Sequence, residues 1–218
     1  MADDPPAAPA KGEHRLAASL AIIVSALLGL LLPESLTLGP SLVTLIAVAV
    51  LLVPLLLYAP MRTSETSTIA RVAALVLLAV IAIANYGSLA FLIEQLLNGH
   101  ASGTMLLRAA LIIWIQNVVL FAVVFWELDC GGPDTRAAGG RLERDFLFPQ
   151  LDVTSVAAAG WRPTFLDYLY TSCTNASAFS PTDVLPLTHQ AKLAMMAQSL
   201  PSLITIVLVT ARAVNIIS

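Results

Sequence analysis

Three hydroxyl side chains and one carboxylate lie close together in one short segment near the carboxy-terminal end of the chain. The segment reads Ser177-Ala178-Phe179-Ser180-Pro181-Thr182-Asp183, and it separates a short apolar stretch from the last long one. Polar, non-helical backbone is tolerated at membrane depth only where it is buried in protein or lines a water-filled cavity. These seven residues are therefore predicted to line a pore or contact an ion.

Two roles are open for Asp183. Repeated around the axis of a homo-oligomer, it would form a ring of carboxylates, and such rings select inorganic cations. Alternatively, Asp183 caps the next helix or forms a turn with Pro186.

Amide side chains interrupt the apolar stretches elsewhere. Polar groups inside a membrane either mark a transport pathway or join helices, and for amides the second use is the commoner one, worth about 1 kcal/mol each. We expect mainly helix-to-helix bonds from these amides, which are Asn85, Gln116, Asn117, Gln198 and Asn215.

The sequence gives no signal for a catalytic residue, a cofactor or a metal site, so we predict that the protein is not an enzyme. Cys130 and Cys173 are its only cysteines, and His14, His100 and His189 show no metal-ligand spacing. No nucleotide-binding loop, nucleophile elbow or zinc-protease motif occurs. The net charge of −3 gives no reason to expect a nucleic-acid partner.

The amino-acid composition predicts an integral membrane protein whose helices are surrounded by a lipid bilayer. Hydrophobic residues make up 58% of the 218 residues and charged ones 11%, about half the charge of a soluble domain. A spanning helix needs roughly 20 apolar residues. Five segments are predicted to span the membrane: Leu16–Leu32, Leu38–Tyr58, Val72–Leu97, Ala109–Trp126 and Gln190–Ile217. The first is predicted to be an uncleaved span and not a signal peptide. The fifth is predicted to be kinked at Pro201.

A sixth helix, Thr164–Ala176, is too short to span and is predicted to be re-entrant. Pro163, Thr164 and Asp167 form its start signal. The alternative is an interfacial helix anchored by Tyr168 and Tyr170.

The fold class is therefore an all-α polytopic bundle of five transmembrane helices and one short helix. Its predicted regions are a disordered tail (1–15), a four-helix transmembrane region (16–126), a polar and irregular loop (127–162) and a pore-like module (163–218).

The distribution of lysine and arginine predicts a cytoplasmic amino terminus. In that orientation Arg108 and Arg212 lie outside, and the other nine basic residues lie in the cytoplasm. These nine are Lys11, Arg15, Arg62, Arg71, Arg136, Arg141, Arg144, Arg162 and Lys192.

The carboxy-terminal fifth of the chain resembles the pore module of bacterial two-span potassium channels, which has a pore helix, a TVGYG filter, a turn and an inner helix. The matching positions are Asp167, Leu169-Tyr170, Ser172, Asp183, Pro186, Thr188, Lys192 and Ala211-Arg212. The filter departs from the family, because Ala178-Phe179-Ser180-Pro181-Thr182 replaces TVGYG. Glycine permits backbone angles that these residues disfavour, so potassium selectivity through carbonyl rings is not expected.

The whole chain also looks like an uncharacterised family of bacterial integral membrane proteins, which would place it in the inner membrane. That resemblance rests on Leu31-Leu32-Pro33-Glu34-Ser35, the loop around Arg62 and Phe165-Leu-Asp-Tyr-Leu-Tyr170, and it implies a fold without an activity. The two resemblances disagree on sidedness, because potassium-channel pore loops enter from outside. The charge distribution favours entry from the cytoplasm.

The predicted function is that of an ion-channel-like, homo-oligomeric membrane protein with an atypical pore, weakly selective if it conducts. The alternative is a non-conducting scaffold or a small-solute transporter that uses the polar segment as its site.

Overall fold

A computed structural model describes residues 13–58, 61–62, 68–98, 102–137, 144–152, 161–178 and 183–217. Helices dominate this part of the chain. Three of them are long and apolar enough to cross a membrane, at Ile69–Asn98, Gly103–Gly131 and His189–Ala211, and two shorter apolar helices accompany them. The chain is therefore a helical, membrane-embedded protein.

The helices are α1 (Leu16–Gly29), α2 (Ser41–Tyr58), α3 (Thr68–Asn98), α4 (Gly103–Leu128), α5 (Pro133–Ala137), α6 (Pro149–Asp152), α7 (Phe165–Ala178) and α8 (His189–Ile217). Short 3-10 helices occur at Glu34–Leu36 and Asp129–Gly131. Two antiparallel pairs of two-residue strands join β1 (Glu13–His14) to β2 (Met61–Arg62) and β3 (Phe146–Leu147) to β4 (Leu185–Pro186).

The first apolar segment forms a shorter helix than predicted. α1 ends at Gly29 rather than Leu32, because the backbone N–H groups of Leu30 and Leu31 turn back to the carbonyls of Leu27 and Leu28. Its 14 residues give a length of about 21 Å, below the roughly 30 Å of a bilayer core. By helix length alone, the structure supports three spans and not the full predicted five.

Helix α4 is the centre of the bundle. It packs against α1, α3, α7 and α8. Its buried side chains include Phe121, Phe125 and Trp126, which belong to the main hydrophobic cluster. Most of the remaining helices are thus positioned through α4.

The prediction of an irregular loop over 127–162 is wrong for its described part. Glu127 and Leu128 belong to α4, and the loop then forms a 3-10 helix, α5, β3 and α6. Arg136 stabilises the start of this region, since its Nη1 donates to the carbonyls of Trp126 (2.9 Å) and Asp129 (2.6 Å). Helix α5 also contacts β1 and β2. The described part of the loop, both strand pairs and the start of α1 therefore lie at one end of the bundle, which we call the Asp129 end.

Candidate functional site

Helix α7 begins with the predicted capping signal. The backbone N–H and the hydroxyl of Thr164 both donate to Asp167 Oδ2, at 2.7 and 2.8 Å. The carboxylate thus satisfies a backbone donor at the helix start. The helix covers Phe165–Ala178, close to the predicted Thr164–Ala176.

Asp129 holds the first turns of α7 at the end of α4. The Tyr168 hydroxyl donates to Asp129 Oδ2 at 2.7 Å, while Oδ1 accepts from the backbone N–H groups of Asp145 (3.1 Å) and Phe146 (3.2 Å). Tyr168 is fully buried, and its ring centroid lies 5.5 Å from the Arg136 guanidinium carbon. Tyr168 is therefore a packing residue, and the alternative that it anchors α7 in the headgroup region is wrong.

The chain returns to the Asp129 end after α7. The Thr188 hydroxyl donates to Asp145 Oδ1 at 2.6 Å, and the Leu187 N–H donates to the Asp145 carbonyl at 2.9 Å. Thr188 also caps α8 by accepting from the Ala191 N–H at 3.2 Å. Asp183 is exposed and lies before this cap, so the prediction that Asp183 caps the helix is wrong.

Between these two attachments, α7 reaches well into the bundle. The Ser172 hydroxyl donates to the Val118 carbonyl of α4 at 2.6 Å. Val118 lies eleven residues before Asp129, a distance of about 16 Å along a helix. The chain therefore enters along α7 and has returned to the same end by β4.

Buried polar groups attach the inner face of α7 to α8, with Gln198 at their centre. Gln198 Nε2 donates to the Ser172 carbonyl (2.9 Å) and hydroxyl (2.6 Å), and Oε1 accepts from Asn175 Nδ2 at 2.8 Å. Asn175 Nδ2 also donates to the Met195 carbonyl at 3.0 Å. Neither Gln198 nor Ser172 has any exposed surface. Every polar atom of the Gln198 side chain thus has a partner inside the protein.

Asn117 extends these contacts to α4. Its Nδ2 donates to the Gln198 carbonyl at 3.1 Å and to the Ser202 hydroxyl at 2.8 Å. The helix-to-helix use predicted for intramembrane amides is confirmed for Asn117 and Gln198. Sequence reasoning missed Asn175 and Asp129, and it named Ser172 only as a position of the potassium-channel resemblance. These are common residue types with no local signal of which helix they contact.

The outer face of α7 is exposed in the described structure. Leu166 and Tyr170 are 70% and 52% exposed, and Cys173 and Ser177 follow them on the same face at helical spacing, also exposed. The Ser177 hydroxyl donates to the Cys173 carbonyl of its own helix at 2.8 Å. This face and Asp183 are available to something outside the chain.

The remaining predicted residues are distributed as follows. Ala178 ends α7, and Phe179, Ser180, Pro181 and Thr182 lie outside the described residues. Asn215 belongs to α8, but its side chain is also outside the description. Gln116 and Asn85 lie away from α7 and donate to the carbonyls of Ser25 (3.0 Å) and Ile113 (3.1 Å), as predicted for helix-joining amides.

Compared with known proteins, the chain matches no family model, no curated protein and no solved structure. Its function has to be argued from the geometry of α7 and its surroundings.

Proposed function

We propose that this chain is one subunit of a homo-oligomeric, ion-channel-like membrane protein. In this proposal five helices span the bilayer of a bacterial inner membrane, α7 is re-entrant, and the Asp129 end is cytoplasmic. The segment Ser177–Asp183 lines an atypical pore that admits inorganic cations with weak selectivity.

The observation that carries the proposal is the contrast between the two faces of α7. The inner face is attached to α4 and α8 through Ser172, Asn175 and Gln198. The outer face, including Cys173 and Ser177, is exposed, and Asp183 is also exposed. A polar helix end at membrane depth needs water or protein around it. Neighbouring subunits around a common axis would supply both.

Helix electrostatics support a cation over an anion. The carboxy-terminal end of a helix carries roughly half a negative charge from its unpaired carbonyls. Helix α7 presents that end at depth, next to Ser177, and Asp183 adds a formal charge a few residues later. A cation near this end of α7 would therefore be stabilised.

The alternative is a non-conducting scaffold or small-solute transporter. It is favoured by the contacts of Gln198, since all of its side-chain hydrogen bonds join helices of the same chain.

Cross-linking through an introduced cysteine on the outer face of α7 tests the arrangement directly. Cys173 is exposed on the outer face of α7, whereas Cys130 is buried. Under mild oxidation in native membranes we expect Ser177→Cys, placed in a Cys173→Ala background, to form covalent dimers. The matched control is Leu111→Cys in the same background, which exposes a cysteine on α4 instead.

Oligomeric mass in detergent and cation flux in reconstituted vesicles complete the test. A strict monomer, or cross-linking that is equal at positions 111 and 177, would remove the channel proposal. Oligomers without flux under any gating condition would favour the scaffold.

A further inference from the structure

Helices α1, α2, α3 and α4 form a ring that encloses two cavities. Each helix packs against the next one and α4 packs against α1, while the diagonal pairs contact each other much less. The outer cavity, of about 50 Å³, lies beside Thr37 and Leu38 of the α1–α2 connection. The inner cavity, of about 20 Å³, lies beside Arg15 and Glu127 at the Asp129 end. One buried water needs roughly 10–15 Å³ of such space, so the outer cavity has room for about three or four waters and the inner one for about one.

The two cavities follow one another along a single face of each helix. On α1 the inner cavity is lined by Arg15, Ser19 and Ile22, and the outer one by Ala26 and Gly29. Steps of three or four residues place side chains on the same face of a helix. The lining residues of α3 have the same spacing. The cavities are therefore stacked along one axis, which runs between the four helices from the Asp129 end to the α1–α2 connection.

The wall changes along this axis from polar to apolar. All four helices contribute a hydroxyl or amide side chain to the outer cavity, namely Ser25 of α1, Thr44 of α2, Ser88 of α3 and Gln116 of α4. Polar atoms form part of the outer wall that a water-sized molecule can reach, whereas the reachable wall of the inner cavity is almost entirely apolar. A hydrogen-bonding molecule can therefore exchange its bonds with water for bonds with protein only in the outer cavity.

One apolar layer separates the two cavities. Ile22, Leu52 and Leu78 are at most 7% exposed and line the inner cavity. Three residues after Ile22 and Leu78 come Ser25 and Ile81, which already line the outer cavity. Three residues correspond to about 4.5 Å along a helix, so the layer is about one helical turn thick. Hydrophobic constrictions of this kind gate membrane pathways by excluding water.

The distribution of charge along the axis disfavours ions. Every residue that lines the outer cavity is uncharged. Arg15 and Glu127 line the inner cavity and are only 4% and 8% exposed. An ion would lose its hydration in the outer cavity without gaining a counter-charge, and an ion of either sign would meet a like charge at the inner end. Neither cost applies to a neutral molecule.

We propose that α1–α4 enclose a permeation pathway for a small neutral solute. The outer cavity binds the solute through its hydroxyl and amide groups, and the layer of Ile22, Leu52 and Leu78 is a gate that is closed in this structure. The outer cavity fits a molecule of about four non-hydrogen atoms, such as urea. None of the described lining residues belongs to α7. The pathway rests on the proposed function only in requiring α1–α4 to span the bilayer.

Urea uptake by vesicles that contain the purified protein tests the pathway. Leu52→Ala and Ile22→Ala each remove part of the gate from a different helix, and each should raise urea permeability several-fold in stopped-flow light scattering. The matched control is Leu89→Ala, since Leu89 is also buried on a helix of the ring but lines neither cavity. Entry of potassium, chloride and mannitol should be the same in all of these proteins, which separates an opened gate from a misfolded, leaking protein.

A second pair of variants locates the binding site. Adding Ala84→Leu to Leu52→Ala fills the outer cavity and should return urea uptake to the rate of protein-free vesicles. Adding Ala90→Leu instead places the same side chain at an exposed position of α3 and should leave the raised rate unchanged.

The proposal would be wrong if neither gate variant took up urea faster than Leu89→Ala. It would also be wrong if chloride entry rose together with urea entry, or if Ala84→Leu and Ala90→Leu had equal effects. Cross-linking at position 177 and cation flux test another part of the chain, so the failure of this pathway is distinguishable from the failure of the α7 pore.

Discussion

Tyr86 donates its hydroxyl hydrogen to the carbonyl oxygen of Ala197, at 3.1 Å. Ala197 lies four residues before Pro201, which has no N–H to complete the helical ladder. The side chain from α3 therefore replaces the missing donor of α8. Helix α8 is continuous from His189 to Ile217 across this proline.

Replacing Tyr86 by phenylalanine should destabilise the protein by about 0.5–1.5 kcal/mol, because the Ala197 carbonyl loses its remaining donor. Unfolding in mixed micelles with increasing SDS would measure the change. Tyr170→Phe is the matched control, since Tyr170 lies on the exposed face of α7. Equal losses for the two variants would mean that the Tyr86 bond contributes nothing specific.

Gln198→Leu should have a larger effect, about 1–3 kcal/mol, because it removes bonds from both Ser172 and Asn175 in a buried region. The same unfolding assay applies, with Gln190→Leu as the control on an exposed position of the same helix. A Gln198 variant as stable as its control would show that these buried contacts do not hold α7 against α8.

Gly132→Ala should destabilise the protein more than Gly39→Ala. Both glycines have positive φ, +97° and +93°, a conformation that costs a residue with a Cβ about 1–2 kcal/mol. Only at Gly132 would the Cβ also come within 2.9 Å of the Glu127 carbonyl oxygen, whereas Gly39 has open space. The difference between the two Tm values isolates the steric contact, and we expect it to be several degrees. Equal Tm values would argue against this packing.

Cysteine labelling of intact cells should show the Asp129 end in the cytoplasm. In a Cys173→Ala background, a membrane-impermeant maleimide should label cysteines at Ser35 and Ser102 without permeabilisation. Cysteines at Arg144 and Gln150 should react only after the cells are permeabilised. All four positions are exposed in the structure. The physical reason is the excess of basic residues at that end. The reverse pattern would restore the orientation of potassium channels.

If the protein conducts, Asp183→Asn should lower the preference for cations over anions and leave assembly intact, because Asp183 is exposed. Reversal potentials in reconstituted bilayers measure the ratio of cation to anion permeability. The control is Glu94→Gln, which removes an exposed carboxylate on α3. Discrimination between potassium and sodium should be poor in all variants. A strongly potassium-selective current would contradict our interpretation of Ala178–Thr182.

Local signals explain which parts of the fold were predictable. The cap of α7 was predicted from Thr164 and Asp167, because its atoms belong to residues three positions apart. The apolar helices followed from composition over windows of roughly 20 residues. The end of α1 was placed wrongly at Leu32, because hydropathy does not distinguish an apolar turn from an apolar helix.

The sequence by itself determined that this is a membrane protein, where its long helices run, and that a short helix precedes the last one. Only the tertiary structure decided which polar groups meet. Asp129 binds Tyr168 across 39 positions, and Asn85 and Gln116 reach one cavity from different helices. The physical reason is that hydrogen bonds between helices depend on how each helix is rotated about its own axis and on how deep each side chain lies in the bundle. Those are determined by the packing of the helices against one another, largely through α4, and no local pattern of residues encodes them.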